Sequence, residues 1–481
     1  MWQRAARVLR ANWTGTSTVP SRDLYPHQWS WDSAFIAIGL RHLSPLRAQV
    51  ELETLLSAQW GDGRIPHIVF NDAVPPDAYF PGPDFWRSTE AGRAAGAPAD
   101  VQTSGLVQPP VHALAAWLVH RADPGLFRAR SFLTRVRPRL AAWHGYLLRD
   151  RDVGGVGLAA VLHPWETGMD NSPCWEAPLS RVEPAERDAW RRADLNHGAA
   201  RDRPTDLDYG RYVRLATEYR DRGYAGGGDV GAGGYGRQLA ASFCVEDPAF
   251  NALLITSECA LALIEAEIDA EVESESGTVA PPPGPPPPKT PDASRTRHAR
   301  ADALTQVLVD RLWDPVDELF HCRDLRSGRL IAERGVAGLI PLTLPALPRD
   351  IAAALVRTAA GPRFGLDGAA RLVPSHDLTS AAFDPYRYWR GPAWFNTNWL
   401  LEKGLRLHGE AARADRLRRT LLDVAGASGF AEYVDPYTGR ARGARGFGWT
   451  AALTLDLLSG RGGLSAGSGG LSEGSEGEVW A

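Results

Sequence analysis

The sequence predicts an all-α fold, arranged as a closed ring of helix pairs. Two observations predict it. Ten segments carry apolar residues at helical spacing, while clear strand alternation is confined to one short stretch. The helices are separated by loops rich in Trp, Tyr, Pro, Gly and His, the chain is too long for a simple bundle, and it shows no fixed-period repeat of the solenoid kind.

Taken in order, helices are expected over residues 33–43, 45–60, 107–120 and 132–148. The segment 247–268 is the clearest. Leu254, Leu261, Ile264 and Ile268 form one stripe, and Asp247-Pro248 reads as an N-cap followed by proline at the first helical position. Further helices are expected over 299–312, 349–360, 395–408, 411–425 and 449–458. Residues 319–331 read as a short hairpin turning at Ser327-Gly328. Residues 273–297 contain PPPGPPPPK and read as a stiff, solvated, disordered insertion. The aromatic loop motifs continue on both sides of it, so it is placed within one domain of residues 1–459. From Gly460 the tail, 460–481, is Gly/Ser-rich and reads as disordered. The glycine stretches 226–228 and 231–236 match no nucleotide fingerprint and read as a mobile loop.

Composition excludes several function classes. With 53 basic and 57 acidic residues the net charge is −4, and a nucleic-acid partner would need a basic footprint. No apolar run approaches the roughly 18 residues of a membrane span. The start, MWQRAARVLRANW, alternates Arg with apolar residues and has no signal-peptide core, so a cytoplasmic location is expected. Cys174, Cys244, Cys259 and Cys322 form no CxxC pair and no zinc spacing; reduced, mostly buried thiols and no metal are expected. Seventeen tryptophans suit sugar binding and core packing alike, since each offers a flat apolar face and one donor. The oligomeric state is left open, a homo-oligomer included.

Four motifs carry candidate chemistry. Tyr25-Pro26-His27-Gln28-Trp29-Ser30-Trp31-Asp32 sets three aromatics, an amide and a carboxylate before a helix, where Asp32 is either a plain N-cap or a site residue. His163-Pro164-Trp165-Glu166-Thr167-Gly168-Met169-Asp170-Asn171-Ser172-Pro173-Cys174-Trp175-Glu176 holds three carboxylates in a glycine- and proline-broken loop. A carboxyl beside Trp and Met can have its pKa raised by desolvation, as a general acid requires; an ordinary surface loop is the alternative. Residues 386–399, YRYWRGPAWFNTNW, combine aromatic platforms with Arg and Asn donors. Residues 429–439, GFAEYVDPYTG, place Glu432 between aromatics, and GFGWT follows. Two carboxyl groups in aromatic, glycine-punctuated loops are what glycosidic cleavage needs. No GxSxG, phosphate loop or HExxH occurs.

The motifs YPHQWSWDSAF, TSGLVQPPVHA, HPWETGMDNSPCWE, YWRGPAWFNTNW and GFAEYVDPYTG with GFGWTAA, in this order from Tyr25 to Leu458, resemble glycoside hydrolase family 63, in particular its bacterial mannosylglycerate and glucosylglycerate hydrolases. The resemblance implies an (α/α)6 barrel, six inner helices ringed by six outer ones, with the active site in loops at one end. It implies hydrolysis of a small α-glycoside with inversion and without a cofactor, Asp170 being the general acid and Glu432 the general base. Inversion implies carboxyl groups roughly 6.5–9.5 Å apart. By the same resemblance Tyr25, Trp29, Asp32, Gln108, Tyr388, Trp389 and Trp394 line the sugar site, Arg390 is a candidate donor, and Trp175 and Trp449 stand nearby. A glycerate carboxylate wants an Arg or a set of hydroxyls, for which Arg211, Tyr212 and Arg214 are available. One departure is Glu176, where the family pattern has Asp. The runner-up is an α-glucosidase of disaccharides or oligosaccharides; a non-catalytic sugar-binding protein and a lyase or phosphorylase are the readings from other classes.

Overall fold

Helical elements alternate between an inner and an outer position along the chain. The computed structural model describes residues 1–460 apart from 198–199, 226–227, 230–237, 240, 277–292 and 369. The principal helices are α1 (Trp2–Ala11), α2 (Ser30–Leu40), α3 (Pro45–Ser57), α4 (His112–Ala122), α5 (Phe132–Asp150), α6 (Asp206–Asp221), α7 (Pro248–Ser276), α8 (Ala293–Leu312), α9 (Arg349–Ala360), α10 (Phe395–Leu407), α11 (Ala411–Ser428) and α12 (Gly448–Ser459). A 3-10 helix, Val336–Thr343, lies between α8 and α9.

The packing closes a ring. Helix α2 packs on α4, α4 on α7, α7 on the 3-10 helix, that helix on α10, α10 on α12, and α12 back on α2. Around it α1 backs α12, α3 backs α2 and α4, α5 backs α4 and α7, α8 backs α7, α9 backs the 3-10 helix, and α11 backs α10 and α12. This is the (α/α)6 barrel, with one inner position filled by 3-10 helix. The sequence chooses the layer. Helix α2 and Val336–Thr343 are buried at every residue, as segments apolar all round must be. Helix α9 is amphipathic: Ile351, Leu355 and Val356 are buried while Arg349 and Arg357 face water.

Several expectations hold in detail. Asp247 caps α7, its Oδ1 accepting from the Phe250 N–H at 2.7 Å. The hairpin pairs Arg323–Asp324 with Arg329–Leu330 and turns through Gly328 at φ +68°. All four cysteines are buried and unpaired. Others need correction. Helices α1 and α6 and the 3-10 helix were not expected from apolar periodicity: α1 buries only Ala5 and Leu9, α6 buries a face built largely of Tyr209, Tyr212 and Tyr219, and VAGLIPLT is short and contains Pro341. Residues 273–276 and 293–297, assigned to the proline-rich insertion, continue α7 and α8, while 277–292 lie outside the described residues, as do the 460–481 tail beyond Gly460 and most of the glycine stretches. Pro248–Glu273 is long and apolar enough to cross a membrane, contrary to the composition reading, but 89% of its most apolar window is buried as an inner barrel helix.

Candidate active site

The cavity lies at the end of the ring where α2, α10 and α12 begin, since Asp32, Trp394 and Trp449 from those N-termini all line it. Short antiparallel pairs hold the connecting loops there: Gln28–Trp29 with Ile68–Val69, and Ala393–Trp394 with Tyr433–Val434. The space is about 880 Å³, including the part open to solvent, within the range of small-ligand sites. Tyr25, Trp29, Asp32, Gln108, Asp170, Tyr388, Trp394, Glu432 and Trp449 line it, as the sequence reading expects.

Asp32 is no N-cap. Helix α2 starts at Ser30, so Asp32 sits inside the first turn with its carboxyl on the cavity. Burial pushes its pKa well above the ordinary value, and the charge of Glu432 pushes further the same way. Both causes favour the protonated form of Asp32.

The loop carrying Asp170 is wired by its own side chains. His163 Nδ1 accepts from Trp165 N–H at 3.0 Å, Thr167 Oγ1 donates to Pro164 O and accepts from Met169 N–H, and Trp175 Nε1 donates to Met169 O at 2.7 Å. Gly168, at φ +70°, lies on Trp31; a Cβ there would stand 2.4 Å from the indole, so only glycine fits. The Asp170 carboxyl is half-buried on the cavity wall. Burial raises its pKa to about 7; Arg203 opposes the rise and Glu432 and Asp194 add to it.

Glu432 is held differently. Its Oε1 accepts from Tyr25 Oη at 2.9 Å and Tyr388 Oη at 3.2 Å, and its Oε2 from Ala444 N–H at 2.9 Å. Gly443, at φ +60°, makes that last approach possible, because a Cβ would stand 2.3 Å from Oε2. Two non-glycine residues beside it take positive φ, Tyr388 at 26° and Phe430 at 56°, a backbone cost that concentrates at functional sites. Arg203 Nη1 donates to Tyr25 Oη at 3.2 Å, so Arg203, Tyr25 and Glu432 form a donor chain.

Four expected residues do not line the cavity. Trp389 stacks on Trp394 at 3.9 Å with a 2° tilt and stiffens that wall. Tyr212 donates to the Asp170 carbonyl at 2.5 Å from behind, and Trp175 braces Met169 as above. Arg390 pairs with Glu176, whose side chain is 58% exposed. Arg211 donates to Val182 O and, like Arg214, is absent from the wall. What sequence reasoning missed is Arg203, in the turn before α6, together with Tyr79, Trp165, Asp194 and Tyr209. Arg203 is 5% exposed, its guanidinium 4.8 Å over the Tyr388 ring. Its Nη2 has no hydrogen-bond partner, the Glu432 Oε2 being 4.0 Å away. The indole N–H groups of Trp394 and Trp449 are likewise buried without a partner.

Known proteins share this sequence and fold. The sequence model of the mannosylglycerate hydrolase MGH1-like glycoside hydrolase domain matches residues 25–450. A mannosylglycerate hydrolase of Rubrobacter radiotolerans is 38% identical over 95% of this chain and 96% of its own. A glucosylglycerate hydrolase of Mycolicibacterium hassiacum is 37% identical over 95% and 97%. A family 63 mannosylglycerate hydrolase of Thermus thermophilus, crystallised with Tris and D-glycerate, superposes with a TM-score of 0.80 at 37% identity, covering 95% of this chain and 99% of that one. The chain belongs to this family of MGH1-like glycoside hydrolases, within glycoside hydrolase family 63, and is a glycoside hydrolase.

Proposed function

We propose that the enzyme hydrolyses a hexosyl-glycerate, glucosylglycerate or mannosylglycerate or both, with inversion at the α-glycosidic carbon. The observation that carries this reading is Arg203. Among the described residues, the cavity wall holds four carboxyl groups, Asp32, Asp170, Asp194 and Glu432, and a single arginine, buried, with one guanidinium nitrogen unmet. A buried guanidinium with one free nitrogen in an acidic cavity fits an anionic substrate group, and a carboxylate meets a guanidinium in charge-assisted hydrogen bonds. Relatives bearing the names of both hydrolases, and a related structure holding D-glycerate, support the same aglycone.

The carboxyl pair divides the work. Asp170, with a pKa near 7, is protonated on the acid side of neutrality and gives its proton to the glycerate oxygen as it leaves. Glu432 already accepts three hydrogen bonds of the roughly four a carboxylate takes, which leaves one lone pair for the attacking water on the far face of the ring. Asp32 and the unpartnered indole N–H groups of Trp394 and Trp449 hold sugar hydroxyls. The buried, unpaired cysteines support a reducing, cytoplasmic setting.

A proton NMR time course with glucosylglycerate, mannosylglycerate and α-linked glucobioses tests this. The β-anomer of the hexose should appear first, and only from the glycerate substrates. Release from the disaccharides alone overturns the aglycone, and early α-anomer overturns inversion. Arg203→Met should raise KM for the glycerate substrates by at least about tenfold, in line with the roughly 1.5–3 kcal/mol of a charged hydrogen bond, while KM for hexosyl-glycerol, which lacks the carboxylate, should stay within about twofold; any loss of kcat through the Tyr25–Glu432 link should be shared by both substrates.

A further inference from the structure

Glu166 lies four residues before Asp170, is fully buried and does not reach the cavity. Its carboxylate is nevertheless the most heavily bonded group in that loop. Oε2 accepts from Arg151 Nη1 and from Leu162 N–H, both at 2.7 Å. Oε1 accepts from Arg151 Nη2 at 2.7 Å and from Val107 N–H at 3.3 Å. Leu162 opens the loop that carries Asp170. Val107 precedes Gln108, whose Oε1 accepts from Trp31 N–H at the start of α2. One carboxylate thus ties together two walls of the cavity. Arg151, itself fully buried, is aimed by Tyr146 Oη and Tyr219 Oη, each at 3.0 Å, and Tyr219 Oη also accepts from Arg64 at 2.7 Å.

Stability alone does not explain such a pair. Desolvating two charges costs several kcal/mol each, and well-packed apolar replacements are often as stable or more so. What the bidentate pair offers beyond an apolar contact is a fixed geometry. We propose that the Arg151–Glu166 pair is a positioning device, which sets the depth of Asp170 in the cavity wall and keeps its carboxyl out of bulk water. The inference rests on Asp170 being the proton donor. Burial is the largest cause of Asp170's raised pKa, so loosening the loop lets water in and lowers it.

The test is the double variant Arg151→Met with Glu166→Gln, which leaves no charge unpaired. Thermal unfolding is measured first, then kcat, KM and the pH profile with the glycerate substrates. The expected result is a folded protein with kcat down tenfold or more, KM within about twofold, and the alkaline limb of kcat moved down by about one pH unit. A folded variant with the parent's kcat and limb overturns the proposal. So does a loss of kcat with the limb unmoved and KM rising in step, which is what general loosening would give. If the double variant does not fold, Tyr219→Phe removes the hydroxyl shared by Arg151 and Arg64; it should move the limb in the same direction by less, and a parental profile overturns the proposal. Asp170→Asn is run alongside. If that variant keeps the parental rate, the assignment of the donor falls and this proposal with it; if it is inactive while the double variant behaves as the parent, the positioning role alone falls.

Discussion

Asp170 and Glu432 face one cavity from unlike surroundings. The loop of Asp170 hydrogen-bonds through its backbone and its neighbours, and among the described residues no other side chain donates to the carboxyl itself. Burial then dominates, and the acid form is favoured near neutrality. Glu432 is more deeply buried, at 1% exposure, yet two phenols and a backbone N–H point at it and Arg203 stands beyond them. The comparison teaches that two carboxyl groups on one cavity wall can be held by quite different sets of neighbours. Around Asp170 its own backbone N–H and the Arg203 charge oppose desolvation, but they do not outweigh it. In the proposed mechanism these two carboxyl groups are the proton donor and the proton acceptor.

The largest expected effects break this comparison or sharpen it. Asp170→Asn and Glu432→Gln should each lower kcat on glycerate substrates by about 10²–10⁴-fold, the usual worth of a general acid or base. A glycosyl fluoride of the matching hexose separates the two, because fluoride leaves without a proton. Steady-state rates with it should recover in Asp170→Asn and stay low in Glu432→Gln. Recovery in the second variant only would exchange the roles.

Next comes pH. Asp170 must be protonated to act, so kcat/KM in the parent should hold up to about pH 7 and fall roughly tenfold per unit above its pKa. Glu432 contributes to keeping that pKa high, so the residual activity of Glu432→Gln should lose its alkaline side at lower pH. A limb that stays in place in that variant would mean that the two carboxyl groups do not sense each other.

How much of this was legible in the chain depends on whether the signal is local. The loops that build the cavity were, because each is a short aromatic and glycine-rich run, while the choice of Asp170 and Glu432 within them came from the family resemblance; the neighbours of each carboxylate, Tyr25 and Tyr388 on Glu432, come from other segments. The ring of helices was legible from apolar periodicity, except where an element is too short or too lightly buried to show one, as in Val336–Thr343 and α1. Arg203 was not. It stands in RDRPTD, which reads as a solvated turn, and it is buried only because the segment before α6 folds over a cavity built by distant loops. Trp389, Arg390, Trp175 and Tyr212 have the right chemistry but do not line the cavity: Tyr212 lies on α6, which apolar periodicity did not reveal, and the other three lie in short turns of broken loops. On a helix or strand the spacing tells which way a side chain faces; in a glycine- and proline-broken loop it does not.

A smaller effect probes the donors of Glu432 one at a time. Tyr388→Phe removes the 3.2 Å hydrogen bond and leaves those of Tyr25 and Ala444 in place. A hydrogen bond to a charged group is worth about 1.5–3 kcal/mol, so kcat should fall about tenfold or somewhat more. Tyr25→Phe should cost more than that, since its hydroxyl also receives Arg203. Equal losses would mean that the link from Arg203 contributes nothing to the base.

The smallest effect lies six residues from Asp170, at Glu176. Glu176 pairs with Arg390 near the rim, and its side chain is 58% exposed. An ion pair so open to water is worth less than about 1 kcal/mol, and Asp would keep the charge while giving up one methylene of reach. Glu176→Asp should therefore leave kcat and KM within about twofold and leave the alkaline limb where it is. The contrast with Asp170→Asn is the point of the measurement. If the shorter acid moves the limb, the rim pair is mechanically coupled to the proton donor, and the loop cannot be divided into a part that performs the chemistry and a part that only meets solvent.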